Sequence, residues 1–287
     1  IEAAGRMRLA ASGAITALGS TERAWLLKSG GDISLLADGA TGSTTLGGRI
    51  AMADGSALRI DIGAMGEAIV GGSTFAPGVL NLSAAGLVNV EEQTGDLWLA
   101  VIASTGVGAQ GAVTLTAAAG EILASERSYF EEVTHVTGTD VRLVSGTVGT
   151  IDGARNLGSV VRALRLEATS LAAVTYTGQN AVIHIDNEGD LDLSQLTMER
   201  GRALIQTTGS LSLTAAVQVT ADSSSEIALT AVNGDVLLSN DLTFGQGILT
   251  LSAGGSVWQS ATSDVLNAGG TVHITADAGG FVQSQGA

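Results

Sequence analysis

Short runs of the form apolar-x-apolar return along this chain from one end to the other. Their first apolar residues are Ile33, Ile60, Leu80, Leu97, Val113, Val141, Leu164, Ile183, Leu204, Ile227, Leu249 and Val272. The spacing averages about 22 residues, a period suited to the coils of a solenoid and too short for domains. Alternating apolar and polar side chains in Ile183-His184-Ile185, Leu191-Asp192-Leu193 and Leu211-Ser212-Leu213 predict strands with one buried face. Further runs follow at fixed offsets: Val236 and Leu242 after Ile227, Val257 and Val265 after Leu249, Phe281 after Val272. Three short strands per coil are therefore expected. Between the runs sit Asn187-Glu188-Gly189-Asp190, Asn233-Gly234-Asp235 and Gly254-Gly255-Ser256, residue types that accept the backbone of tight turns.

Stacked in register, each strand would pair with its copy one coil above, with Leu, Ile, Val and Ala ladders filling the interior. This is the pattern of an all-β fold, a single-stranded right-handed parallel β-helix running continuously over residues 1–287. It would have about 13 coils, one of them contributed by Met7-Arg8-Leu9 and Ile15. Leu99, Leu115, Leu143, Leu166, Ile185, Leu229 and Leu251 are expected to point inward. Two intervals exceed the mean, giving a Gly/Ser/Thr-rich loop over 36–57 and an excursion from the scaffold over 124–137.

Composition narrows the function classes. With 287 residues, 45% of them apolar, the chain can bury a sizeable core. Its 40 glycines follow no collagen period and accompany a single proline, Pro77, so they are assigned to turns. Without cysteine there is no disulfide framework, thiolate metal site or cysteine nucleophile. The net charge of −15, with Lys28 the only lysine, leaves no basic face for nucleic acid. The apolar stretch 97–103 is far shorter than the ~18 residues of a membrane span, so no membrane insertion is expected. Both ends, Ile1-Glu2-Ala3-Ala4 and Gln283-Ser284-Gln285-Gly286-Ala287, read as cuts in a longer chain.

The phrases Gly247-Ile248-Leu249-Thr250-Leu251-Ser252-Ala253-Gly254-Gly255-Ser256-Val257 and Gly270-Thr271-Val272-His273-Ile274-Thr275-Ala276-Asp277 resemble the filamentous-haemagglutinin-like repeats of very large bacterial surface exoproteins. So do Gly209-Ser210-Leu211-Ser212-Leu213-Thr214-Ala215 and Gly78-Val79-Leu80-Asn81-Leu82-Ser83-Ala84. The resemblance implies an exported adhesin or filament, located extracellularly or on the bacterial cell surface. Its partners would be further repeats of the parent chain and a cell-surface, matrix or glycan ligand. The Asn-Pro-rich secretion domain typical of such proteins is absent from this stretch, which therefore resembles shaft.

Candidate chemistry is sparse, and neither catalytic residues nor a cofactor are expected. Gly106-Val107-Gly108-Ala109-Gln110-Gly111 matches a dinucleotide fingerprint, but the strand-like Val113-Thr114-Leu115 follows where a helix is needed, so a turn is expected. Asp186, Glu188, Asp190 and Asp192 place four carboxylates around Gly189, a weak candidate Ca²⁺ site that also reads as a solvated turn. The outward row is read as Ser34, Asp61, Asn81, Trp98, Thr114, Arg142, Arg165, His184, Ala228, Thr250 and His273, with Glu167 and Asp186 pairing to its cations. A polysaccharide-cleaving β-helix needs acids on successive coils, and this row holds one. In the excursion, Tyr129, Phe130, Glu131, Glu132 and His135 crowd together, with Trp98 on the preceding coil. These are the candidate ligand contacts, and capping of the core by the rings is the alternative. The leading expectation is a non-catalytic shaft; the others are a polysaccharide-binding or polysaccharide-cleaving β-helix and a self-associating subunit of an extracellular fibre.

Overall fold

The computed structural model describes residues 2–3, 7–11, 15–17, 27–29, 33–37, 50–52, 57–62, 79–93, 95–124, 133–145, 156–157, 163–175, 181–215, 217–219, 225–263, 265–267 and 270–284. They wind into a parallel β-solenoid of about 7 turns with about 24 residues per turn. No α-helix occurs among the described residues, and the dinucleotide-like glycines form a 3-10 turn at Gly108–Gly111. The chain divides into two compact units, Ile1–Thr147 and Val148–Ala287.

The second unit shows the repeat most plainly. One ladder runs Leu164, Ile185, Ile205, Leu229, Leu251 and Ile274, every step parallel. Another runs Leu191, Leu211, Val236, Val257 and Phe281. A third joins Val217, Leu242 and Val265. Successive coils thus carry three strands each, first Glu226–Ala231, Val236–Leu238 and Leu242–Phe244, then Ile248–Ala253, Ser256–Gln259 and Val265–Asn267. The offsets in the sequence anticipate this arrangement.

The first unit obeys the same rule with less even spacing. Met7 pairs with Ile33 and Ile33 with Leu80, while Val88, Val113 and Val141 form a second ladder. Leu97 pairs with Ile122, and Ile102 with both Leu82 and Val136. This corrects the count of coils. Because the partner of Ile33 is Leu80, the run at Ile60, which pairs with Leu27, is another face of a turn already counted. The run at Leu97 is likewise on a different ladder from Val113. The span 36–57 contains a strand, Ile50–Met52, which pairs with Ile15–Ala17.

Burial follows from the alternation. Leu99, Leu115, Leu143, Ile185, Leu229 and Leu251 are fully buried and Leu166 is 1% exposed. Each such side chain contributes roughly 1.5–3 kcal/mol of apolar burial. The effect of a neighbouring coil can be read directly: Leu249 and Leu251 are 0% exposed, whereas Val272 and Ile274, their partners in the last described coil, are 37% and 39% exposed. The interior of each coil is covered by the coils beside it.

Candidate functional site

Side-chain acceptors recur immediately before strands in both units. In the first, the Asp96 carboxylate accepts the backbone N–H of Glu121 at 2.9 Å, just before the paired Leu97 and Ile122; in the second, at the corner before the ladder that starts at Leu191, Asp190 accepts that of Ser210 at 2.8 Å. The Ser210 hydroxyl oxygen accepts the N–H of Asp235 at 3.2 Å, and the Asp235 carboxylate accepts the N–H of Ser256 at 2.7 Å. Each acceptor stands one residue before an apolar residue whose ladder partner follows the donor, as Leu191 pairs with Leu211 and Val236 with Val257. At each of these four steps a coil therefore hands a side-chain acceptor to the next. A glycine precedes each of these acceptors or donors, and at two of them the reason is close approach: a Cβ on Gly209 would lie 2.2 Å from Asp190 Oδ1, and one on Gly255 2.2 Å from Asp235 Oδ1. The sequence carries this as a signal: Gly95-Asp96-Leu97, Gly120-Glu121-Ile122, Gly189-Asp190-Leu191, Gly209-Ser210-Leu211, Gly234-Asp235-Val236 and Gly255-Ser256-Val257. Reading the glycines only as generic turns misses it.

The four-carboxylate cluster belongs to this corner. Asp186 is half-buried with Arg165 and Gln206 as its register partners, and Glu188 is exposed. Asp190 is engaged with Ser210, and both oxygens of Asp192 accept from the Thr214 hydroxyl, at 2.6 and 2.7 Å. The residue that organises the turn is Asn187, 2% exposed. Its Oδ1 accepts the Ala168 N–H at 3.0 Å, and its Nδ2 donates to Glu188 O at 3.1 Å and Thr207 Oγ1 at 3.3 Å. The Thr207 hydroxyl in turn donates to Gly189 O. Two of the four acids thus serve coil stacking. Among the described residues no three His, Asp or Glu side chains come together as an ion-binding group.

No known protein family, curated protein or solved structure matches this chain. What it can do must be read from its own surface.

Of the aromatic excursion, Tyr129, Phe130, Glu131 and Glu132 lie outside the described residues. His135 is 0% exposed, and its carbonyl accepts the Ile102 N–H at 2.8 Å, so it lies in the interior where a new strand begins. Trp98 is half-buried on the outward side of its strand, between the inward Leu97 and Leu99, and its register partner is Leu123. The outward row also differs from its expected order. Thr114 precedes Arg142 as anticipated, but the neighbour of Arg165 is Asp186, and His184 is followed by Leu204, Ala228, Thr250 and His273. Arg165 and His184 therefore stand on different rows. A further ion pair joins adjacent coils, Arg202 Nε to Glu226 Oε2 at 2.9 Å, with both side chains over a third exposed. Such a pair is worth at most ~1 kcal/mol.

Proposed function

We propose that this chain is a stretch of the shaft of a large bacterial cell-surface or secreted exoprotein of the filamentous-haemagglutinin-like kind, right-handed in its winding and non-catalytic. The observation that carries this reading is the corner ladder: Asp190, Ser210 and Asp235 each direct their side-chain acceptor to the backbone of the next coil. Carboxylates and hydroxyls that an enzyme would aim at a substrate are committed here to holding one coil on another. Its neighbours are further repeats of its own parent chain, and it works outside the cell, where its acidic outer faces keep it apart from nucleic acid and from the bilayer interior.

Single-molecule pulling on the whole chain tests this. A shaft built of equivalent coils yields in small, repeated steps, each releasing about 24 residues, or about 80 Å of extended chain. One all-or-none rupture would count against it. Release of reducing or unsaturated ends from a glycan panel would instead establish the polysaccharide-cleaving alternative, and filaments that lengthen with protein concentration would establish the fibre subunit.

A further inference from the structure

Two tryptophans on described strands occupy the same place in the corner repeat, Gly95-Asp96-Leu97-Trp98-Leu99 and Gly255-Ser256-Val257-Trp258-Gln259. In the second, Val257 is 0% and Gln259 9% exposed, so the alternation sends Trp258 outward, where it is 40% exposed. A coil follows it, so this exposure is not that of a terminal coil: its register partners are Leu237 on the coil before and Val282 on the coil after. An outward row of an otherwise Ser/Thr-rich surface thus carries three apolar side chains in succession. At ~4.8 Å per coil the stripe is roughly 10 Å long. The same row continues through Ser212 and Asp192 on the two coils before Leu237. Asp192 accepts one hydroxyl, from Thr214, and a carboxylate has about four acceptor sites.

We propose that this row, Asp192-Ser212-Leu237-Trp258-Val282, is a binding track for an uncharged polysaccharide lying along the solenoid. The stripe is linear, one side chain per coil along a sheet face, and so presents a row of contacts that a linear chain can follow. A pyranose ring has an apolar C–H face that stacks on an indole and a rim of hydroxyls that need acceptors and donors. The row supplies the indole at Trp258 and hydrogen-bonding groups at Ser212 and Asp192. Charge decides between classes of glycan: with 28 acidic against 13 basic residues, the chain repels polyanions such as sulfated or uronate polymers, and an uncharged chain meets no such penalty. This track does not depend on the shaft reading, since a shaft or a fibre subunit could equally carry it.

The test is calorimetric titration of the 287-residue chain with three hexasaccharides: cellohexaose, the N-acetylglucosamine hexamer and a heparin hexamer. At least one of the two uncharged probes is expected to bind and the heparin hexamer not. Trp258→Ala should weaken that binding roughly tenfold or more, and Trp258→Phe should hold it within about threefold. Leu237→Ser, which keeps the indole, should weaken it severalfold, and it decides the matter if Trp258→Ala fails to fold. The proposal is overturned if neither uncharged probe binds, if heparin alone binds, or if binding survives Trp258→Ala or Leu237→Ser unchanged. It is equally overturned if Trp258→Ala abolishes self-association in sedimentation while leaving sugar binding intact, because the stripe would then be a contact between copies.

Discussion

Gly201 and Gly189 separate two reasons for a glycine within one unit of the solenoid. Both have positive φ, 121° and 92°, a conformation that costs an alanine about 1–2 kcal/mol. Around Gly189 nothing lies within 4 Å of an added Cβ, whereas at Gly201 that atom would fall 2.0 Å from Ala181 O and 2.7 Å from Ala181 N. Ala181 is the register partner of Gly201 and is 3% exposed, held between strands that cannot separate without breaking ladder hydrogen bonds. Overpacking of this kind costs about 1–3 kcal/mol, and one or two lost ladder bonds about 1 kcal/mol each. Gly189→Ala should therefore destabilise by about 1–2 kcal/mol and Gly201→Ala by about 3–7 kcal/mol. Urea unfolding followed by far-UV circular dichroism gives both numbers. Hydrogen exchange should place the added loss in Ala181–Asn187 and Gly201–Thr207, since coils are coupled mainly to their neighbours. Equal midpoint shifts for the two variants would refute the close-approach argument and leave φ alone as the reason for glycine at Gly201.

Asn187→Ala should cost about 2–3 kcal/mol in the same titration, because it leaves the buried Ala168 N–H without its acceptor; a shift below about 0.5 kcal/mol would show that water replaces it. Ser210→Asp keeps an acceptor for the Asp235 N–H but adds a carboxylate between those of Asp190 and Asp235, so it should lower the thermal midpoint in low salt and recover much of the loss at 1 M salt. Ser210→Asn, which adds no charge, should stay within about 0.5 kcal/mol of the parent, and a salt-independent loss in both variants would exclude the charge argument.

Much of the fold is legible in the sequence because a strand buried on one face has to alternate. That constraint alone places Ile185, Ile205, Leu229 and Leu251 inside, and the offsets to Val236 and Leu242 locate the other two strands of the coil. What the alternation cannot say is which ladder a run belongs to, since all three strands of a coil present the same apolar-x-apolar face. In the first unit this turns Ile60 and Val113 into apparent coil starts when they are other sides of the turns that begin at Ile33 and Leu97. The missing discriminator is the Gly-Asp or Gly-Ser pair before Leu97, Leu191, Leu211, Val236 and Val257, and Val113, on another ladder, lacks it. The exposure of the larger side chains is less legible. His135 is titratable and follows a long interval, which reads as surface, yet it is buried; Trp258 sits in a regular strand, which reads as scaffold, yet it is exposed.

The corner sequence in the second unit is Asp190, Ser210, Asp235, Ser256, an alternation of charged and uncharged acceptors on successive coils. Backbone satisfaction alone does not require it, because Asp accepts the next N–H as well as Ser does, and at shorter distance here. Electrostatics does. Carboxylates on every coil would stand ~4.8 Å apart, and two unit charges at that distance repel by roughly 1–3 kcal/mol at a partly exposed site. Interposing serine doubles the separation to about 10 Å, beyond the ~8 Å screening length of physiological salt, and reduces the repulsion to a small remainder. In the second unit, an acidic chain can therefore run its acceptor ladder from coil to coil without accumulating charge on one line. The same reasoning bears on function: a corner built this way is tuned for repetition, and each acid removed from it to serve a ligand would leave a backbone N–H of the next coil unsatisfied. Recognition on such a scaffold belongs on the outward positions of its strands, where Trp258 stands, and not at the corners that hold its coils together.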